Sequence, residues 1–128
     1  MAWSRLVLAC GIQAVAALTR LKTAALMQME STAEVVLGSV TEAVKVAKRA
    51  RIPLIYDDPL AKVKAVCESA ADSRCGMLED ILAGKRTEID FLNGVVVRQG
   101  RSYGIPTPVN QLLVNLVKTI ETSKSREK

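Results

Sequence analysis

Between Leu6 and Thr19 the chain carries no charge, and at about 100° per residue its apolar side chains cover nearly the whole circumference of a helix. A helix of that kind needs neighbours on several sides, so the remaining residues have to form a bundle around it. The run is too short to cross a bilayer, which takes about 20 apolar residues. It has some likeness to a secretory signal, with Arg5 ahead of the apolar stretch and Ala14-Val15-Ala16 within it, but the apolar pattern continues through Leu21, Ala24, Ala25 and Met27. One buried helix is predicted from about Trp3 to Met29.

The totals fit such a bundle. The 128 residues are 49% hydrophobic and 24% charged, a balance that folds as one globular domain. Aromatic residues make up 3%, too few for the stacking platform of a single-strand nucleic-acid binder. The net charge of +5 is modest, and the cluster Lys45, Lys48, Arg49 and Arg51 is read as a solvated helix end, where cations suit the macrodipole. Neither a nucleic acid nor a membrane is therefore an expected partner. Histidine is absent, which excludes Ser-His-Asp and Cys-His catalysis and the usual zinc sites. Cys10, Cys67 and Cys75 are odd in number and lack CxxC spacing; they are expected as reduced, core thiols of a cytoplasmic protein.

Every boundary signal belongs to a helix, and no stretch alternates with period two, so the fold is predicted to be all-α with about six helices. Ser31 to Glu34 fits a capping box opening a second helix that ends near Ala50. Asp58 caps a third, with Pro59 at its first position, running to about Ala71. A short helix from about Gly76 to Ala83 is closed by Gly84. Thr87-Glu88-Ile89-Asp90 is expected to open a fifth helix that stops near Tyr103-Gly104, and Gly94 inside it suggests a close helix crossing. Thr107 and Pro108 start the sixth, and the SKSREK end is expected to fray.

The string GMLEDILAGKRTEIDFLNGVVVRQGRSYGIPTPVNQLLVNLV resembles the C-terminal helical domain of ketopantoate reductases, the 2-dehydropantoate 2-reductases. The likeness combines the MLED, AGKRTEID, Asn93-Gly94 and GIPTPVN segments at matching spacing, with a looser match at Trp3-Ser4-Arg5-Leu6. It implies a bundle like the C-terminal domain of 6-phosphogluconate dehydrogenase, forming the substrate side of a two-domain enzyme with residues 1–128 as that one domain. It also implies an N-terminal Rossmann domain that binds NADPH. These residues contain no GxGxxG fingerprint, so that domain and its cofactor site are expected outside them, leaving the chain alone without a cofactor and inactive.

The resemblance implies site residues one by one. Glu88 falls on the family's active-site glutamate and Asp80 on a substrate-binding aspartate. Arg5 falls where the family has its catalytic lysine, Ala9 and Gln13 fall on two asparagines, and Gly76 on a substrate-contacting serine. An arginine keeps its proton at neutral pH, so at position 5 it would polarise and orient where a lysine could act as general acid. From helical geometry alone, Arg5, Ala9, Gln13 and Arg20 fall within an arc of about 80°, a narrow polar seam that reads as a strip reaching solvent; the resemblance, whose site falls on the same strip, gives the cleft as the other orientation. The expected substrate is a small 2-oxo acid, with Arg5 and Glu88 catalytic and Gln13 and Asp80 substrate-binding. A homodimer is a further expected partner. The alternative reading is a helical interaction module with a relic cleft.

Overall fold

The structure, a computed structural model, describes residues 2–70 and 74–126. In chain order its helices are α1 (Ala2–Thr19), α2 (Glu30–Arg49), α3 (Pro59–Ser69), α4 (Gly76–Leu82), α5 (Asn93–Tyr103) and α6 (Pro108–Arg126). Two 3₁₀ turns, Thr23–Ala25 and Ile89–Phe91, interrupt the connections, and no strand occurs among the described residues. The all-α expectation holds.

The uncharged helix is the hub. α1 packs against α2, α3, α4 and α6, and Val7, Cys10, Ala14 and Ala16 are wholly buried. Gly11 sets the closeness of α1 to α2: a Cβ there would stand 2.6 Å from Val40 Cγ2 and 3.2 Å from the Val36 carbonyl. The helix is shorter than predicted. It stops at Thr19, and Arg20 takes a left-handed conformation with φ of 61°. The Thr19 hydroxyl turns back to the Val15 carbonyl at 2.7 Å, and the following residues fold over so that Leu26 is buried and the Thr23–Ala25 turn meets α3. Arg20 thus lies beyond the helix and leaves the proposed seam.

Two predicted caps are replaced. α2 begins at Glu30 with Met29 extended before it, so Ser31 is already helical, and the Thr32 hydroxyl lies within reach of the Leu26 and Met29 carbonyls, its single hydrogen serving one at a time. α5 begins at Asn93 rather than Thr87, because the backbone leaves helical geometry at Leu92 and the Thr87-Asp90 segment forms a separate turn. Other boundaries agree. Asp58 Oδ1 accepts from the Ala61 amide at 3.1 Å, Gly84 turns left-handed at φ 73°, and Gly104 does so at φ 70°. α3 closes at Ser69, and the Ala71 end expected for it lies outside the described residues. The SKSREK end is helical through Arg126; its last two residues, 127 and 128, also lie outside them.

A buried polar cluster joins α1, α2, α5 and α6. Asn93 Nδ2 donates to the Cys10 carbonyl at 2.8 Å and to Asn110 Oδ1 at 2.9 Å. The Ser39 hydroxyl lies 3.0 Å from the same two acceptors, and its single hydrogen serves one at a time. Glu42 completes the cluster: its Oε1 accepts from the Asn110 amide at 3.0 Å and Nδ2 at 2.8 Å, and its Oε2 from the Val109 amide at 2.9 Å. α6 is therefore capped by a carboxylate from α2, while Thr107 occupies the position before Pro108. Anions are stabilised at helix N-termini, and three donors compensate the burial of this one.

Candidate functional site

Of the seam residues, Arg5 is exposed near the start of α1, while Ala9 and Gln13 are half-buried on successive turns. Gln13 meets α4 directly. Its Oε1 accepts from the Met77 amide at 3.0 Å, its backbone carbonyl is 3.5 Å from Cys75 Sγ, and that sulfur accepts from the Leu78 amide at 3.4 Å. α4 lacks an oxygen-bearing cap of its own, so Cys75 and Gln13 serve its first donors. The Gln13 amide nitrogen makes none of these bonds and keeps two donor hydrogens.

α4 carries Asp80 at the margin of its buried face, beside Met77, Leu78 and Ile81, which point inward. The Asp80 carbonyl accepts from the Lys85 amide at 2.8 Å, closing the left-handed turn at Gly84. The chain then passes Arg86 and reaches the turn bearing Glu88. In that turn Thr87 and Ile89 are buried, Asp90 is half-buried and Glu88 is exposed. Asp80 and Glu88 thus project from adjoining segments. Among the described residues, no hydrogen bond or ion pair links Arg5, Asp80 and Glu88.

A strap from α2 to α3 holds the beginning of α1. The Ile55 amide donates to Ser4 Oγ at 2.9 Å, and the Tyr56 hydroxyl donates to the Ser4 carbonyl at 2.7 Å. Ser4 is buried and immediately precedes Arg5, so the strap holds the backbone from which the guanidinium projects. No local sequence signal marks this contact, because its partners lie 51 and 52 residues apart.

Gly94 has a different role from the helix crossing expected for it. A Cβ there would meet the Ile89 carbonyl at 3.3 Å and Arg98 Nη1 at 3.2 Å, so the glycine lets α5 start tight against the turn that carries Glu88. The close helix approach falls instead at Gly11, between α1 and α2, while at Gly100 a Cβ would lie 2.8 Å from the Ile105 carbonyl of the turn that follows α5. The three cysteines are free and buried. Burial pushes the Cys10 thiol up to about 12 and raises Cys67 and Cys75 as well, which leaves them protonated and poorly nucleophilic. Among the described residues no group of His, Cys, Asp and Glu could hold a metal ion, and no helix is long and apolar enough to cross a membrane.

The family described as ketopantoate reductase PanE/ApbA C terminal matches residues 1–121. The chain belongs to that family. The 2-dehydropantoate 2-reductase of Archaeoglobus fulgidus is 33% identical over 121 residues, covering 94% of this chain and 40% of that protein. Among solved structures, a PanE/ApbA family ketopantoate reductase from Ralstonia eutropha JMP134 superposes with a TM-score of 0.90 at 33% identity, covering 96% of this chain and 41% of that one. D-mandelate dehydrogenase in a ternary complex with NADH and anilino(oxo)acetate superposes at 0.87 with 25% identity, covering 96% of this chain and 68% of that one. The chain spans about two fifths of the length of the curated relatives it matches. Its helices correspond to the C-terminal domain of the ketopantoate reductase family.

Proposed function

We propose that this chain is the substrate-side domain of an NADPH-dependent reductase that converts ketopantoate, or a closely related 2-oxo acid, to the 2-hydroxy acid. The observation that carries the reading is the family match over residues 1–121, and the Gln13–Met77 hydrogen bond adds to it by tying the polar seam of α1 to the helix bearing Asp80. The family match supports the oxidoreductase class. The described residues make no dinucleotide cradle, since they contain no strand and their glycines mark helix ends and helix contacts. In this reading NADPH is held by a separate N-terminal dinucleotide-binding domain, and the reaction needs both domains.

In this reading the residues of the chain bind and polarise the substrate. Arg5 places a positive charge against the 2-oxo acid and stabilises charge developing on the carbonyl oxygen, and the proton that completes the 2-hydroxyl comes from water. Glu88 completes the frame around the reacting carbon. Gln13 donates from its amide nitrogen, and Asp80 accepts from a substrate hydroxyl. The three buried thiols suit a reducing, cytoplasmic compartment. Ile55, at 85% exposure, and Phe91, at 73%, leave apolar surface for the partner domain or a second copy.

The test is steady-state oxidation of NADPH by the full-length protein with ketopantoate and other 2-oxo acids. Turnover should appear with at least one of them, and Glu88→Gln should lower kcat by about 10²-fold or more. Absence of turnover with every 2-oxo acid, or parental kcat in Glu88→Gln, would overturn the reading.

A further inference from the structure

The turn that carries Glu88 is not a regular helix, yet it is held at three points by α5 and α6. On one side Thr87 donates twice to Glu121 Oε2 of α6, from its amide at 2.7 Å and from its hydroxyl at 2.6 Å. One turn earlier on α6, Lys118 Nζ stands 2.9 Å from Asp90 Oδ1. From α5, Arg98 Nη2 donates to the Asp90 carbonyl at 2.9 Å. The Thr87 hydroxyl also accepts from the Ile89 amide at 3.3 Å, and Ile89 is buried beneath the turn. Both residues flanking the Glu88-Ile89 pair are therefore fastened to α6, and Glu88 is the exposed side chain of the four.

We infer that Glu121 is a positioning residue for Glu88, with Lys118 securing the far end of the same turn. This rests on Glu88 being the site carboxylate. Bonds to an ionised carboxylate are shorter and stronger than neutral ones, and Glu121 is only half-buried, so it retains solvent while fixing a buried threonine. The energetic logic is preorganisation. A carboxylate on a mobile loop must be ordered at each turnover, whereas one on a clamped turn already stands where the substrate arrives. Glu121 acts on the backbone under Glu88 and has no direct role toward the substrate or the cofactor.

The experiment uses the full-length protein with NADPH and its 2-oxo acid. Variants are Glu121→Leu, Glu121→Gln, Lys118→Ala and, as a reference, Glu88→Gln. For each, kcat is measured per folded molecule, with the cofactor KM and amide hydrogen exchange across residues 87–91. Glu121→Leu should lower kcat by about tenfold to a hundredfold, leave the cofactor KM unchanged and speed exchange in the turn. Glu121→Gln should recover part of the loss, because its amide oxygen still accepts from Thr87. Lys118→Ala, a change at a solvent-facing position, should show a smaller loss of the same kind and serves if Glu121→Leu fails to fold. Parental kcat in the Glu121 and Lys118 variants while Glu88→Gln is impaired would overturn the positioning role and leave the reading of Glu88 intact. Parental kcat in Glu88→Gln would overturn that reading itself, and unchanged exchange at 87–91 would overturn the clamp whatever the activity.

Discussion

Gln13 Oε1 accepts from the Met77 amide at 3.0 Å, joining the half-buried end of the α1 seam to the first turn of α4. Substituting Gln13→Leu would strand that amide and remove the two donor hydrogens assigned to substrate. The expected cost is about 1–2 kcal/mol of folding stability, together with a higher KM for the 2-oxo acid in the full-length protein. Unchanged denaturation midpoint and KM would show that α4 is held without this bond.

An arginine keeps its proton at neutral pH, so in the proposed role Arg5 polarises the carbonyl without transferring a proton. In the full-length protein Arg5→Lys supplies an ammonium that can transfer a proton, and kcat with ketopantoate should rise, more so when Ala9→Asn adds a hydrogen-bonding group one turn on. General-acid contributions of about 10²- to 10⁴-fold set the upper range of the effect. Parental kcat and KM in both variants would place the seam in solvent.

Much of the fold is legible in the sequence where the signal and its structural consequence lie close together. Asp58-Pro59 reads as a cap because the carboxylate and the Ala61 amide are three residues apart, and Gly84 and Gly104 read as stops because only the local backbone is involved. Legibility fails where the partner is distant. α6 is capped by Glu42, 67 and 68 residues away from the amides it serves, and Thr87 is held by Glu121, 34 residues on. The end of α1 carries no glycine or proline; Arg20 enters left-handed space because packing of Leu26 and the Thr23–Ala25 turn requires it, against its own preference. At the candidate site, Glu88 and Asp80 are recognisable from motif spacing, whereas the Ser4–Tyr56 strap leaves no local trace.

The buried cluster gives the recognisable Asn93 and Asn110 a structural part. Asn110→Ala removes the donor to Glu42 Oε1 and the acceptor used by Asn93 and Ser39. The expected loss is about 3 kcal/mol, because polar groups of α2 and α5 are left buried and underpaired. Equilibrium urea unfolding measures it, and a loss within the range of surface substitutions, about 0.5 kcal/mol, would contradict the account.

Cys10 makes stability depend on alkaline pH. Its thiol is held up to about 12 by burial, against an ordinary value of 9.0, so its contribution is fully present below pH 9 and is lost as pH rises towards the folded value. Unfolding free energy should fall by about 1.4 kcal/mol per pH unit over that window from this group alone. Cys10→Ala should remove that part of the slope. Identical pH profiles for the two proteins would contradict the assignment.

Arg5, Gln13, Asp80 and Glu88 are proposed to face one substrate cleft. The most direct measurement is a crystal structure of the full-length protein with NADPH and a non-reacting 2-oxo acid analogue. The Arg5 guanidinium and Glu88 carboxylate should lie within hydrogen-bond reach of the analogue, about 2.6–3.2 Å. An analogue bound elsewhere, with the α1 seam open to bulk water, would contradict it.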